Sequence, residues 1–175
     1  EEEGRAFREK FGFSKDDKII MAVGLYIERK GILDFVEMAR RLPEYKFIWF
    51  GYTNLNTIPI KIREAVETKL DNLYFPGYVP RELLRGAYSG ADLFFFPTHE
   101  ETEGIVVLEA LASHQHVVLR DIPVYHGWVD SSCAELAHDV PGFVKALRKV
   151  LSGNSETASR FIDFTKKEIN PSLCR

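Results

Sequence analysis

The sequence predicts an α/β domain built on a doubly wound parallel sheet of about six strands, Rossmann-like, with helices on both faces. Three observations predict it. Short, nearly continuous apolar runs recur, as in Lys18-Ile-Ile-Met-Ala-Val23 and Asp92-Leu-Phe-Phe-Phe-Pro97, and such runs mark strands buried on both faces. Between them lie stretches with apolar residues at helical spacing, such as Ile32, Phe35, Val36, Ala39 and Leu42. Glycine or proline closes the runs, as at Gly24, Gly51, Gly77 and Pro97. Strands alternating with helices in this way form βα units, which pair in parallel.

The elements follow in order. Phe7 and Phe11, four apart, make a helical pair from Glu3 to Phe11, and Gly12 stops it. The strand Lys18–Val23 leads through the loop Gly24–Gly31 into a helix that ends at Leu42 before Pro43. Lys46–Gly51 is a second strand, 52–59 a polar loop, and Ile60–Leu70 an amphipathic helix. Asn72–Gly77 is a third strand, Arg81–Tyr88 a short helix, and Asp92–Pro97 the fourth and most apolar strand. A glutamate-rich loop precedes the helix Ile105–Ala112, and His116–Arg120 is a fifth strand. Beyond Asp121 the pattern supports a loop with Pro123, Tyr125, His126 and Trp128, and an edge strand near Glu135–Ala137. Two terminal helices are expected, Gly142–Leu151 and Glu156–Ile169. Trp49 and Phe94–Phe96 are core residues on this reading.

The bulk properties narrow the function. A chain of 175 residues suits one domain with a good-sized core. The formal charge of −3, with no basic stripe, argues against nucleic acid as a partner. Cys133 and Cys174 are too few for a disulfide framework and fit a reducing cytosolic compartment. No signal peptide or membrane-spanning apolar run is present. The chain opens on Glu1-Glu2-Glu3 without an initiator Met, so an excised piece of a longer protein is expected.

Sheets of this kind bind ligands at the carboxyl ends of their strands. The loop after the first strand lacks the Gly-x-Gly-x-x-Gly of dinucleotide binding and the Walker lysine pattern. It offers Arg29 and Lys30 before a helix, which suits a phosphate; solvated surface charges are the equal alternative. The loop after the fourth strand carries Glu100, Glu101 and Glu103. One carboxylate near a helix start gains roughly 0.3–1 kcal/mol from the helix dipole, but three repel one another. Glu100 and Glu103 read as solvated charges, Glu101 as functional, and Thr102 as a candidate cap. The following helix is apolar on almost every side except at Glu109. A helix of that kind is normally buried, and a buried carboxylate needs a partner. His99, His114, His116, His126 and His138 have no metal-ligand spacing, and His99 reads as a surface residue. Tyr78 and Val79, after the third strand, either flank a planar base or form a plain loop.

Four segments in order now resemble the donor-binding half of a retaining GT-B glycosyltransferase of family four. They are Val23-Gly24 with Lys30-Gly31, Phe50-Gly51, Phe75-Pro-Gly-Tyr-Val79, and Glu101 with Glu109 before Ala-Leu-Ala. The resemblance implies one Rossmann-like half of a GT-B fold, with residues 1–175 forming a single donor domain and the N-terminal acceptor domain of the parent lying outside this chain. It implies Glu101 and Lys30 as catalytic groups, the first contacting the donor sugar and the second neutralising the diphosphate. Glu109 would take hydrogen bonds from the ribose. Gly24, Arg29, Thr102, Gly104 and Ile105 would surround the donor, with Tyr78 and Val79 beside the base. No cofactor or metal is implied; the ligand is a nucleotide-sugar, a UDP-hexose, and the chemistry is electrostatic stabilisation of a leaving diphosphate.

Two residues depart from the family pattern. Leu25 stands where an arginine is usual, with Arg29 as a candidate substitute, and Glu103 stands where an aromatic is usual. The wording from Glu100 to Ser113 is similar to that of Gram-positive enzymes that glycosylate diacylglycerol. A membrane lipid acceptor, met through the N-terminal domain, and a cytoplasmic location at the inner membrane face follow from that likeness. A sugar-nucleotide epimerase of the same fold and a non-catalytic nucleotide-sugar-binding subunit are the alternatives.

Overall fold

The computed structural model of the protein describes residues 2–129, 131 and 133–153. The expected helix Glu156–Ile169 lies outside the described residues, as does Cys174. Six strands form one parallel sheet: β1 (Ile19–Val23), β2 (Lys46–Phe50), β3 (Leu73–Gly77), β4 (Leu93–Phe96), β5 (His116–Arg120) and β6 (Ala134–Ala137). Their spatial order is β3-β2-β1-β4-β5-β6. The helices are α1 (Glu2–Phe11), α2 (Ile32–Arg41), α3 (Ile60–Val66), α4 (Arg81–Gly90), α5 (Ile105–Ala112) and α6 (Val140–Leu151). The expected doubly wound α/β architecture is thus observed. The third helix is shorter than its pattern suggested, and the fourth runs on to Gly90.

Alternating side chains divide the core between the two faces. On β4, Phe95 stacks on Phe35 of α2 and meets Phe143 of α6 edge-on at 5.0 Å. Phe94 faces the other way and stacks on Tyr88 of α4 at 6.1 Å. On β2, Phe47 and Trp49 pack against Phe35, while Phe50 meets Phe7 and Phe11 of α1. Trp49, Phe94, Phe95 and Phe96 are fully buried, as their apolar runs required. The period of two that marks a strand therefore fills both layers from one apolar run.

Helix α5 departs from expectation. Only Val107 and Ala110 are buried, and the helix rests through them on β4 and β5. Ile105 and Leu108 are 58% and 49% exposed, and Glu109 is exposed too. Periodicity shows that a face is apolar without showing whether this chain covers it. Glu109 still has a partner: the Tyr88 hydroxyl donates to its carboxylate at 3.0 Å. Burial, and then the Glu109 charge, push the Tyr88 phenol well above its usual range, so it remains a donor. The expected cap from Thr102 is not observed. Gly104 occupies the N-cap position at φ +70°, and among the described residues no side chain caps α5. Among the described residues, no helix is long and apolar enough to cross a membrane.

Candidate functional site

The strand order reverses between β1 and β4, the position at which doubly wound sheets open a crevice beyond their carboxyl ends. The loops leaving these two strands carry the cation and the carboxylate singled out in the sequence. They meet here: Lys30 Nζ lies 2.5 Å from Glu101 Oε2, although 71 residues separate them. Both side chains are largely buried, with 16% and 10% exposure. The ammonium also sits 5.4 Å from the centre of the Phe96 ring. The other oxygen of Glu101 accepts from the Thr102 backbone N–H at 3.2 Å.

The pair lines an open depression of about 370 Å³, with Thr102, Glu103, Gly104, Ile105 and Val106 completing the wall. One end of the depression is therefore the uncapped first turn of α5, whose amides and dipole favour an anion. The chemistry offered is a buried ammonium beside a helix start, with a carboxylate within reach of hydroxyl groups. Glu100 and Glu103 are exposed, in keeping with solvated charges.

Backbone contacts hold the two loops in register. Gly31 has φ +80°, and a Cβ there would lie 2.2 Å from the Pro97 carbonyl oxygen, so the helix start and the end of β4 touch through bare backbone. Thr98 is fully buried, and its hydroxyl lies 3.1 Å from the Arg29 carbonyl and 2.9 Å from the Glu100 carbonyl. The His99 N–H also donates to the Arg29 carbonyl, at 2.8 Å. Beneath them Arg120, at the end of β5, donates to the Pro97 and His138 carbonyls and pairs with Asp34 of α2 at 2.6 Å. Its guanidinium lies over the Phe143 ring at 5.0 Å. Arg120→Met is expected to cost about 2–3 kcal/mol, below the 3–5 of a fully buried pair broken on one side, because Asp34 keeps some water and His99. Urea unfolding of the variant measures it.

Other expected site residues lie around this centre. Gly24 ends β1 against Lys30: a Cβ there would stand 3.6 Å from Lys30 Cγ. Arg29 is exposed, with its guanidinium 3.5 Å from the Glu100 carbonyl rather than in the depression's wall. Glu109 lines a neighbouring groove between α4 and α5, with Tyr88, Arg81 and Arg85. Tyr78 is 83% exposed and borders an aromatic hollow with Tyr26, Tyr52 and Phe75; Val79 is half-buried. Leu25, at 54% exposure, presents no charge to the site. His99 is a surface residue, as expected, 3.1 Å from Asp34. Among the described residues, no cluster of three or more His, Cys, Asp or Glu is placed to hold a metal.

Sequence reasoning missed Thr98, the Arg120–Asp34 link and Tyr125. A lone arginine ending the apolar strand His116–Arg120 was the available signal for the second. No local pattern pointed to the other two.

Comparison with known proteins gives the family and the fold. The family model for glycosyl transferases group 1 matches residues 4–168. Processive diacylglycerol alpha-glucosyltransferase of Acholeplasma laidlawii is 48% identical over 147 residues, covering 83% of this chain and 44% of the relative. Alpha-galactosylglucosyldiacylglycerol synthase of Streptococcus pneumoniae is 34% identical over 128 residues, covering 71% and 34%. Among solved structures, sucrose-phosphate synthase from Thermosynechococcus elongatus superposes with a TM-score of 0.78 at 18% identity, over 97% of this chain and 45% of that one. Anabaena HepE, in complex with UDP and glucose, gives 0.79 at 13%, over 98% and 49%. These two share the fold. This chain spans less than half the length of any of the four. Matched by the family model along nearly its whole length, it belongs to the glycosyl transferases group 1 family.

Proposed function

We propose that this chain is the donor-binding domain of a retaining glycosyltransferase that transfers a hexose from a UDP-sugar to a lipid acceptor of the diacylglycerol type. A second domain of the parent supplies the acceptor site. The observation that carries the reading is the Lys30–Glu101 pair beside the uncapped start of α5. As the bond between sugar and diphosphate breaks, negative charge grows on the leaving phosphate oxygens. Lys30 and the first-turn amides of α5 are the donors that stabilise that charge. Glu101 accepts hydrogen bonds from the sugar hydroxyls and orients the ring. Glu109, steadied by Tyr88, accepts from the ribose hydroxyls, and the base lies beside Tyr78 and Val79. No metal takes part in this scheme. The lipid acceptor draws support from the names of the two relatives, both of which contain diacylglycerol.

Leu25 favours a second reading, a nucleotide-sugar-binding subunit without turnover, because a phosphate-facing charge is missing there. Glu101→Gln in the full-length parent separates the two. Transferase activity is expected to fall by about 100-fold, the scale of losing one such polar contact in the transition state, with the nucleoside diphosphate still bound. A parent that transfers equally well with the substitution contradicts the catalytic assignment.

A further inference from the structure

Tyr125 is the residue that the mechanism above leaves unused and that packs directly beneath it. It belongs to a short 3-10 turn, Pro123–Tyr125, in the connection from β5 to β6. The residue is fully buried, and its hydroxyl has no hydrogen-bond partner among the described residues. A buried, unpaired hydroxyl costs stability, so a core position with no other duty favours phenylalanine. The ring lies under the loop that carries Glu101. A Cβ placed on Gly104 would stand 3.2 Å from Tyr125 Cε1, the ring carbon adjacent to the one bearing the hydroxyl, and 3.7 Å from Glu101 Cγ. The two side chains therefore converge on the same glycine. Trp128 packs on the ring edge-on, with centroids 5.7 Å apart, and its Cζ2 lies 3.8 Å from the same Gly104 Cβ position.

We propose that Tyr125 is a positioning residue for Glu101, its hydroxyl donating to the carboxylate once a bound diphosphate has drawn Lys30 away. The inference rests on the donor-site reading given above. In the free protein, Glu101 is held at both oxygens, by Lys30 and by the Thr102 N–H. A diphosphate competes for Lys30 and strips the carboxylate of its main partner. A largely buried carboxylate cannot stay unpaired, and the nearby phenol is the donor without an existing commitment. Burial, and beyond it the Glu101 charge, push that phenol above its usual range, so it keeps its proton at any working pH. The exchange leaves Glu101 fixed at one edge and open to the sugar at the other.

Calorimetric titration of wild type and Tyr125→Phe with UDP and with UDP-glucose tests this on the chain itself. The expected result is an affinity reduced by about tenfold for both ligands, since each carries the diphosphate that draws Lys30 away, the scale of a single hydrogen bond to a charged group. The urea midpoint should be unchanged or raised, since an unpaired buried hydroxyl is removed. In a Glu101→Gln background, Tyr125→Phe should change UDP-glucose affinity no further, a coupling that a purely structural tyrosine does not produce. Equal affinities in wild type and Tyr125→Phe, or a loss that persists undiminished in the Glu101→Gln background, overturn the proposal and leave the donor site standing. A wild-type chain that binds neither ligand overturns both.

Discussion

Gly31→Ala is expected to destabilise the domain by about 3–4 kcal/mol. Two costs combine. At φ +80° an alanine is held in the left-handed region, a penalty of roughly 1–2 kcal/mol. Its Cβ would also stand 2.2 Å from the Pro97 carbonyl oxygen and 2.5 Å from the carbonyl carbon. These are backbone atoms, which cannot swing aside like the end of a flexible side chain, and overpacking of this kind costs about 1–3 kcal/mol. The same carbonyl accepts from Arg120, and the next residues pin the Arg29 carbonyl, so any relief displaces both site loops. Gly12→Ala is the control: it has φ +69° with nothing within 4 Å of its Cβ, and should lose only about 1–2 kcal/mol. Urea unfolding of both variants measures the difference. Equal losses would mean that the contact between the helix start and β4 is loose.

Lys30→Ala is expected to lower transferase turnover in the full-length parent by about 10²–10³-fold, the effect of removing one preorganised group that stabilises developing charge. Charge on the diphosphate increases as the sugar leaves, so kcat should fall by more than KM rises. The substitution also strands the largely buried Glu101 carboxylate, which adds a stability loss. Lys30→Ala combined with Glu101→Gln isolates the stability part: the double variant should regain the stability lost to the stranded carboxylate. Steady-state kinetics with a UDP-hexose, alongside thermal unfolding, separate these effects. A Lys30→Ala enzyme with undiminished kcat would show that the ammonium serves only the ion pair.

The strands were legible because each is a short apolar run closed by glycine or proline, and the helices between them kept their period. Glu101 and Lys30 were readable as candidate site residues, yet their contact was not, since it joins loops 71 residues apart. Helix α5 shows the limit of the hydrophobic pattern. Its residues are apolar nearly all round, but Ile105 and Leu108 face outward, and apolar composition does not show what covers a face. Tyr125 and Thr98 were invisible for a related reason. Their significance lies in which backbone atoms and side chains they meet across the fold, and neither sits in a motif. Tyr88 was likewise hidden, although it supplies the partner that a carboxylate within an apolar helix called for.

The central claim is that the crevice between β1 and β4 holds a nucleotide-sugar. Titrating UDP and then UDP-glucose into the chain while following backbone amide resonances tests it most directly. The account predicts saturable shifts at Gly24, Lys30, Glu101, Thr102, Gly104, Ile105 and Glu109 with UDP, and further movement of Glu101 and Thr102 when the sugar is attached. Spectra unchanged at these residues at saturating ligand, or shifts confined to residues outside the crevice, would contradict it.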